Sequence, residues 1–244
     1  MKTYELHVNG HLIQAQFDEQ NIQNLFIPLL KKWTQMQKEK NQRLLILLAA
    51  PPGTGKTTLS LFFEYLSQHT PNVTPLQALG MDGFHYYQDY LDTHYITRDH
   101  QTICMKDVKG CPETFDIDKL IEKIKAMQTS NIDFPIYDRV LHNPVEDQVH
   151  ICQNIILLEG NYLLLDEDKW RDIHLLFDDS LFIEAPVSEL EKRLIQRKMM
   201  GGTPHHLAKQ FYENSDGVNV KRVLDHSLPA HIHLYENHHI YTQK

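Results

Sequence analysis

Alternation opens the chain. Tyr4, Leu6 and Val8 alternate with polar positions, Asn9-Gly10 interrupts, and Ile13, Ala15 and Phe17 alternate again. This pattern predicts a β-hairpin, because both turn residues accept positive φ. The period then changes. Ile22, Leu25, Phe26, Leu29, Leu30, Trp33 and Met36 share one helical face behind Asp18 as a cap, with Pro28 expected to kink the helix or start it late. Leu44–Leu48 is a short, unbroken apolar run, the mark of a strand buried on both faces of a parallel sheet. A Gly-rich turn follows, then a helical pattern in Leu59, Phe62, Phe63 and Leu66.

Further strands are expected at 76–81, 132–137, 154–158 and 181–185, and helices at 116–128, about 167–175 and 187–199. Thr203-Pro204 opens another helix, with Thr as cap and Pro in the first turn. Strands alternating with helices predict an α/β fold with a doubly wound, mostly parallel sheet. No repeat or linker is visible. The organisation expected is a hairpin-and-helix extension over 1–42 and one domain over 43–244, with a lid around 190–217.

Composition narrows the function. The 244 residues carry 24 Lys and Arg against 32 Asp and Glu, a formal net charge of −8, which argues against a general nucleic-acid binder. The longest apolar run is far short of a membrane span, and no signal-peptide core is present. The three cysteines form no C-x-x-C pair. A cytoplasmic protein with no nucleic-acid or membrane partner is expected, with a second copy of the chain as a candidate partner. The 16 histidines include His205-His206 and the tail 231–239, where His231-Ile232-His233-Leu234 reads as a strand with one wet face rather than a metal site.

Chemistry concentrates after the first buried strand. Ala50-Pro51-Pro52-Gly53-Thr54-Gly55-Lys56-Thr57-Thr58 matches G-x-x-x-x-G-K-[ST], with Ala50 in place of the first glycine. Gly53 and Gly55 let backbone N–H groups wrap a phosphate chain. Lys56 reaches the β- and γ-phosphates, and the Thr57 hydroxyl ligates Mg²⁺. Pro52 to Thr58 is therefore read as the binding loop for ATP or another nucleoside triphosphate, with Mg²⁺. Asp82 ends the next strand candidate. It is read either as a base and metal-associated carboxylate or as an ordinary Asp-Gly turn.

APPGTGKTT, MDGFHYY, KGCPETFD, YDRVLHNPVED and ILLEGNYLLLD stand in an order that resembles the phosphoribulokinase/uridine kinase family, over about 44–240. Within it the chain is similar to bacterial-type pantothenate kinase and to its sugar- or nucleoside-directed relatives. The resemblance implies ATP-dependent phosphorylation of a hydroxyl on a small molecule. It makes Asp82 the candidate base and Glu159 a carboxylate associated with Mg²⁺, partly through water. After Tyr137 the chain has Asp138 and Arg139 where pantothenate kinase has a Ser-His pair.

Glu159 competes with Asp166 as the acidic strand end. Gly160 permits a tight exit behind Glu159, while Asp166, Glu167 and Asp168 suit a helix start. The acceptor side is expected to use Asp82, His85, Tyr86, Lys109, Tyr137, Arg139 and His142. Arg139 reads either as an anchor for an anionic or polyhydroxylated substrate or as an ion-pair partner of Asp138 or Glu146. Arg193 and Arg197 share a helix face ahead of Gly201-Gly202. Alone they would read as a solvated face; beside a P-loop and ahead of Gly-Gly they are read as the cations of a mobile lid, and the resemblance implies that such a segment closes over ATP. The catalytic set expected is Asp82, Lys56, Arg139 and Glu159. The competing function is a P-loop ATPase or GTPase switch, or a nucleotide-binding regulatory protein, without an organic acceptor.

Overall fold

The computed structural model describes every residue except Asn9 and Asp99, and not the side chain of His11. Asn9, the first residue of the expected hairpin turn, thus lies outside the described residues; Gly10 has φ +81°. The chain forms two compact units, Met1–Leu79 with Gln153–Lys244, and Gly80–Cys152.

In the first unit, β1 (Lys2–Val8) and β2 (His11–Phe17) pair antiparallel, Leu6 opposite Ile13. Asp18 caps the next helix by accepting from Asn21 N–H. That helix runs as α1 (Glu19–Asn21), a π turn (Ile22–Phe26) and α2 (Ile27–Lys40). Pro28 stands in the first turn of α2, and a π turn precedes it, with Ile27 N–H donating to Ile22 C=O. The helix is re-registered rather than shortened.

The wholly buried β3 (Leu44–Ala49) leads through the Gly-rich turn into α3 (Lys56–His69) and β4 (Leu76–Gly80). The hairpin and α2 share a core with α3. Phe17 stacks on Phe62 at 3.8 Å, and Phe26 meets Phe63 edge-on at 5.3 Å. Full burial of each such ring is worth about 1.5–3 kcal/mol, so the N-terminal segment is structural to this unit.

The second unit holds α4 (Gln88–Thr93), a ribbon of β5 (Tyr95–Arg98) and β6 (Gln101–Cys104), α5 (Ile117–Thr129), and a ribbon of β7 (Asp133–Asp138) and β8 (Asn143–His150). The strand expected at 132–137 is therefore not a member of the parallel sheet. It pairs antiparallel with the strand that follows.

The first unit resumes with β9 (Ile155–Gly160), β10 (Asp179–Glu184), α6 (Val187–Met200), α7 (His205–Phe211), α8 (Gly217–His226), β11 (Ile232–Asn237) and β12 (Ile240–Gln243). The six-stranded sheet has the order β12-β11-β10-β3-β9-β4. β3 is parallel to β9 and β10, β10 to β11, and only β12 is known to run against its neighbour among the registers described. This is the expected α/β, mostly parallel architecture. Two local expectations change. Residues 170–176 form a 3₁₀ rather than an α-helix, and Pro204, not Thr203, occupies the cap of α7, with no side-chain cap bond. The alternation at the tail holds: Ile232, Leu234 and Glu236 of β11 are buried between half-exposed neighbours. No helix among the described residues is long and apolar enough to cross a membrane.

Candidate functional site

In the first unit the sheet sends β3 straight into the loop 50–55. Gly53 and Gly55 have φ of +88° and +84°, a left-handed conformation in which a Cβ is strained. The Thr54 hydroxyl donates to Pro51 C=O at 2.9 Å and ties the loop to itself. α3 begins at Lys56, so its unpaired N–H groups open onto the loop, the usual setting for an anion. Pro52 is buried; Lys56, Thr57 and Thr58 are half-buried.

Thr57 Oγ1 donates to Glu159 Oε1 at 2.7 Å. Glu159 is buried at 6% exposure near the end of β9, the neighbour of β3, with Leu48 opposite it in register. The first turn of α3 and the end of β9 thus bring one hydroxyl and one carboxylate to the same spot, at the strand ends where ligands bind in open α/β sheets. Asp166 has another fate. It is exposed and pairs with Arg171 at 2.6 Å.

Arg193, one of the two expected lid cations, is paired within its own unit. Its Nη1 and Nη2 hold Glu236 of β11 at 2.7 and 3.0 Å, and Nη1 also reaches Gly53 C=O at 3.4 Å. Arg197 is exposed and acts on Asp216, whose carboxyl burial pushes above its ordinary range while Arg197 and Lys198 pull it back. The segment expected as a lid contributes Leu190, Leu194, Ile195, Ala208 and Tyr212 to a buried cluster with Ala185 and Val220. Two buried acceptors, Asn161 Oδ1 just past β9 and Asn219 Oδ1 in α8, have no hydrogen-bond partner among the described residues.

The second unit gathers the other candidates. Asp82 sits in a 3₁₀ turn, Met81–Phe84, directly after β4. Arg139 Nη2 lies 3.6 Å from Asp82 Oδ2, a pairing that neither Asp138 nor Glu146 provides. Asp138 instead caps its own turn by accepting from Val140 and Leu141 N–H. His85 Nδ1 lies 2.8 Å from Asp82 C=O, and the ring packs on Phe115 (3.9 Å) and near Tyr137 (5.1 Å). Burial pushes the His85 imidazole below its ordinary value, and Lys109 and Arg139 add to this against the pull of Asp82, so it is held neutral. Lys109 donates to Gln88 Oε1 and His142 C=O, both at 2.9 Å, and its Nζ stands 5.2 Å from the Tyr137 ring centre. Burial lowers its pKa. Tyr86 stacks on Tyr90, and Tyr90 on His94. His142 contributes its backbone, at φ +51°; its side chain is exposed. Asp82, His85, Lys109, Tyr137 and Arg139 are thus brought together, while the His142 ring and Tyr86 are not shown in contact with them.

The model of the phosphoribulokinase/uridine kinase family matches residues 45–201, well over half of the chain. The chain belongs to that family. The uncharacterised protein YggC of Escherichia coli K12 is 43% identical over 229 residues, covering 93% of each chain. A candidate uridine kinase of Schizosaccharomyces pombe, C227.14, is 30% identical over 166 residues, covering 66% of this chain and 68% of the relative. Among solved structures, a candidate fructose transport system kinase from Silicibacter sp. TM1040 superposes with a TM-score of 0.75 at 27% identity, covering 84% of this chain and 97% of that one. Membership makes this a P-loop protein of a kinase family, and the Gly53-to-Thr58 loop and Glu159 fall inside the matched span.

Sequence reasoning missed Glu236. It lies 43 residues from its partner, in a strand read only for its histidines. Its one visible signal was a carboxylate at an inward position of an alternating strand, which is unusual unless paired.

Proposed function

We propose that this protein is an ATP-dependent kinase that transfers the γ-phosphoryl group to a hydroxyl of a small metabolite. The observation that carries the reading is the 2.7 Å bond between Thr57 and the buried Glu159, next to a loop with two left-handed glycines. The donors and acceptors fit Mg²⁺ with a nucleotide. Among the described residues no group of three His, Cys, Asp or Glu could hold a metal alone, and Mg²⁺ in kinases leans on substrate phosphates plus one or two protein oxygens. ATP supplies the phosphoryl group, and Mg²⁺ offsets its charge.

The chain's own groups then divide the work. Backbone N–H groups of 53–58 and Lys56 hold the phosphates and neutralise charge on them. Thr57 and Glu159 present oxygen to the metal, directly or through water. Asp82 is the group that orients the acceptor hydroxyl and takes its proton, and Arg139 beside it steadies the carboxylate and the acceptor. Neutral His85, Lys109 and Tyr137 wall the acceptor side. Residues 190–217 cover the nucleotide, with Arg197 as the exposed cation.

Release of ADP should be followed with fructose, uridine, pantothenate and other alcohols as acceptors. ADP release stimulated by one of them supports the kinase reading. ATP turnover indifferent to every acceptor would point to a nucleotide switch instead.

A further inference from the structure

Glu236 is nearly solvent-free, at 1% exposure. A carboxylate taken out of water is costly unless donors surround it. Here Oε2 accepts from Arg193 Nη1, and Oε1 accepts from Arg193 Nη2 and from His239 N–H at 2.8 Å. The fork of the guanidinium is thereby fixed in plane and direction. Burial and the nearby Glu236 keep the Tyr241 phenol protonated, so no second anion competes for Arg193.

The remaining reach of Arg193 is to Gly53 C=O. This carbonyl and the N–H of Thr54 belong to one peptide plane. In a trans peptide they point in opposite directions, and no peptide bond among the described residues is cis. Holding the carbonyl toward α6 therefore aims the Thr54 N–H away from α6. The backing is tight: a Cβ at Gly53 would stand 3.1 Å from Leu194 Cγ and 3.3 Å from Leu190 C=O. α6 thus supports the loop by both packing and charge.

We propose that Glu236 is a positioning residue for the phosphate loop: through Arg193 it fixes the orientation of the Gly53–Thr54 peptide and so the N–H that meets the nucleotide's phosphates. The inference rests on the nucleotide-binding reading of that loop. It gives Arg193 a different task from that of a cation closing over ATP, because its guanidinium is spent on Glu236 and the loop.

The test is calorimetric titration of Mg²⁺-ATP and of tripolyphosphate into the wild type, Glu236→Gln, Arg193→Lys and Lys56→Ala, well below each melting transition. Arg193→Lys keeps a cation beside Glu236 and so keeps the fold, but one ammonium cannot span both carboxylate oxygens and Gly53 C=O. Both Glu236→Gln and Arg193→Lys are expected to weaken ATP and tripolyphosphate alike, by about tenfold to a hundredfold, as loss of a supporting partner does at other preorganised sites. A brace without a role in binding would lower the melting temperature and leave these affinities unchanged. Wild-type affinity in folded Arg193→Lys overturns the proposal, whatever Glu236→Gln does. If Lys56→Ala also binds ATP as the wild type does, the loop is not the nucleotide site and the kinase reading falls with it. If only Lys56→Ala loses affinity, that reading stands and this one fails.

Discussion

Lys56 and Asp82 can each be removed with little threat to the fold, since neither side chain is part of a buried core. Lys56→Ala should melt like the wild type but lose about 10²-fold or more in turnover, the scale of losing one charge-stabilising donor. Acceptor-dependent ADP release beside a melting curve checks this; full activity would remove the loop from the mechanism. Asp82→Asn keeps shape and turn propensity while removing the charge that faces Arg139. Turnover should fall about 10²–10⁴-fold with ATP affinity nearly intact, the range for a general base. If turnover and melting both persist, Asp82 is only a turn residue. The loop residues were legible because their spacing is local and each type has one physical reason to be there. The Arg139–Asp82 pair was not legible: 57 positions separate the two, and Asp138 and Glu146 offered equally good charges closer in sequence.

Elements were legible where one period ran undisturbed. The all-buried β3 and β9 and the helices α3, α5 and α6 follow directly from their apolar runs and faces. β7 misled because an apolar stretch does not say which partner it pairs with, and its turn to β8 uses His142 at positive φ rather than glycine. Gly83 lies close against β7. A Cβ there would stand 2.4 Å from Pro135 O and 2.6 Å from Pro135 C. Backbone atoms cannot rotate away as a side-chain tip can, so either β7 or the Met81–Phe84 turn must shift. Gly83→Ala should cost about 1–3 kcal/mol of stability in urea unfolding, the range of overpacking, and should raise KM for the acceptor by disturbing neighbouring Asp82. Unchanged stability and kinetics would show that the turn has slack.

For the molecule as a whole, half-buried acids shape how stability follows pH. Burial raises the Glu64 carboxyl above its ordinary value of 4.5, with a smaller opposing effect from a backbone bond at Ala78. Asp216 is raised in the same way from 3.8. From those ordinary values up to the raised folded ones, the native state binds more protons than the unfolded chain. Stability therefore falls as pH rises through each window. His85 has the opposite sign. Its pKa is lowered from 6.5, so below that value the unfolded chain binds more protons, and stability falls as pH drops. Glu64→Gln isolates one contribution. It removes a charge that is costly to bury while retaining an oxygen for the backbone bond. The variant should melt above the wild type at neutral pH, and the gain should shrink on acidification and vanish below 4.5, where the wild-type carboxyl is protonated in both states. Melting curves of the two proteins from about pH 4 to about pH 8 decide the matter. A gain that stays constant with pH would mean that packing, not ionisation, separates Gln from Glu at this position, and parallel curves with no gain would mean that the folded protein leaves Glu64 as well hydrated as the unfolded chain does.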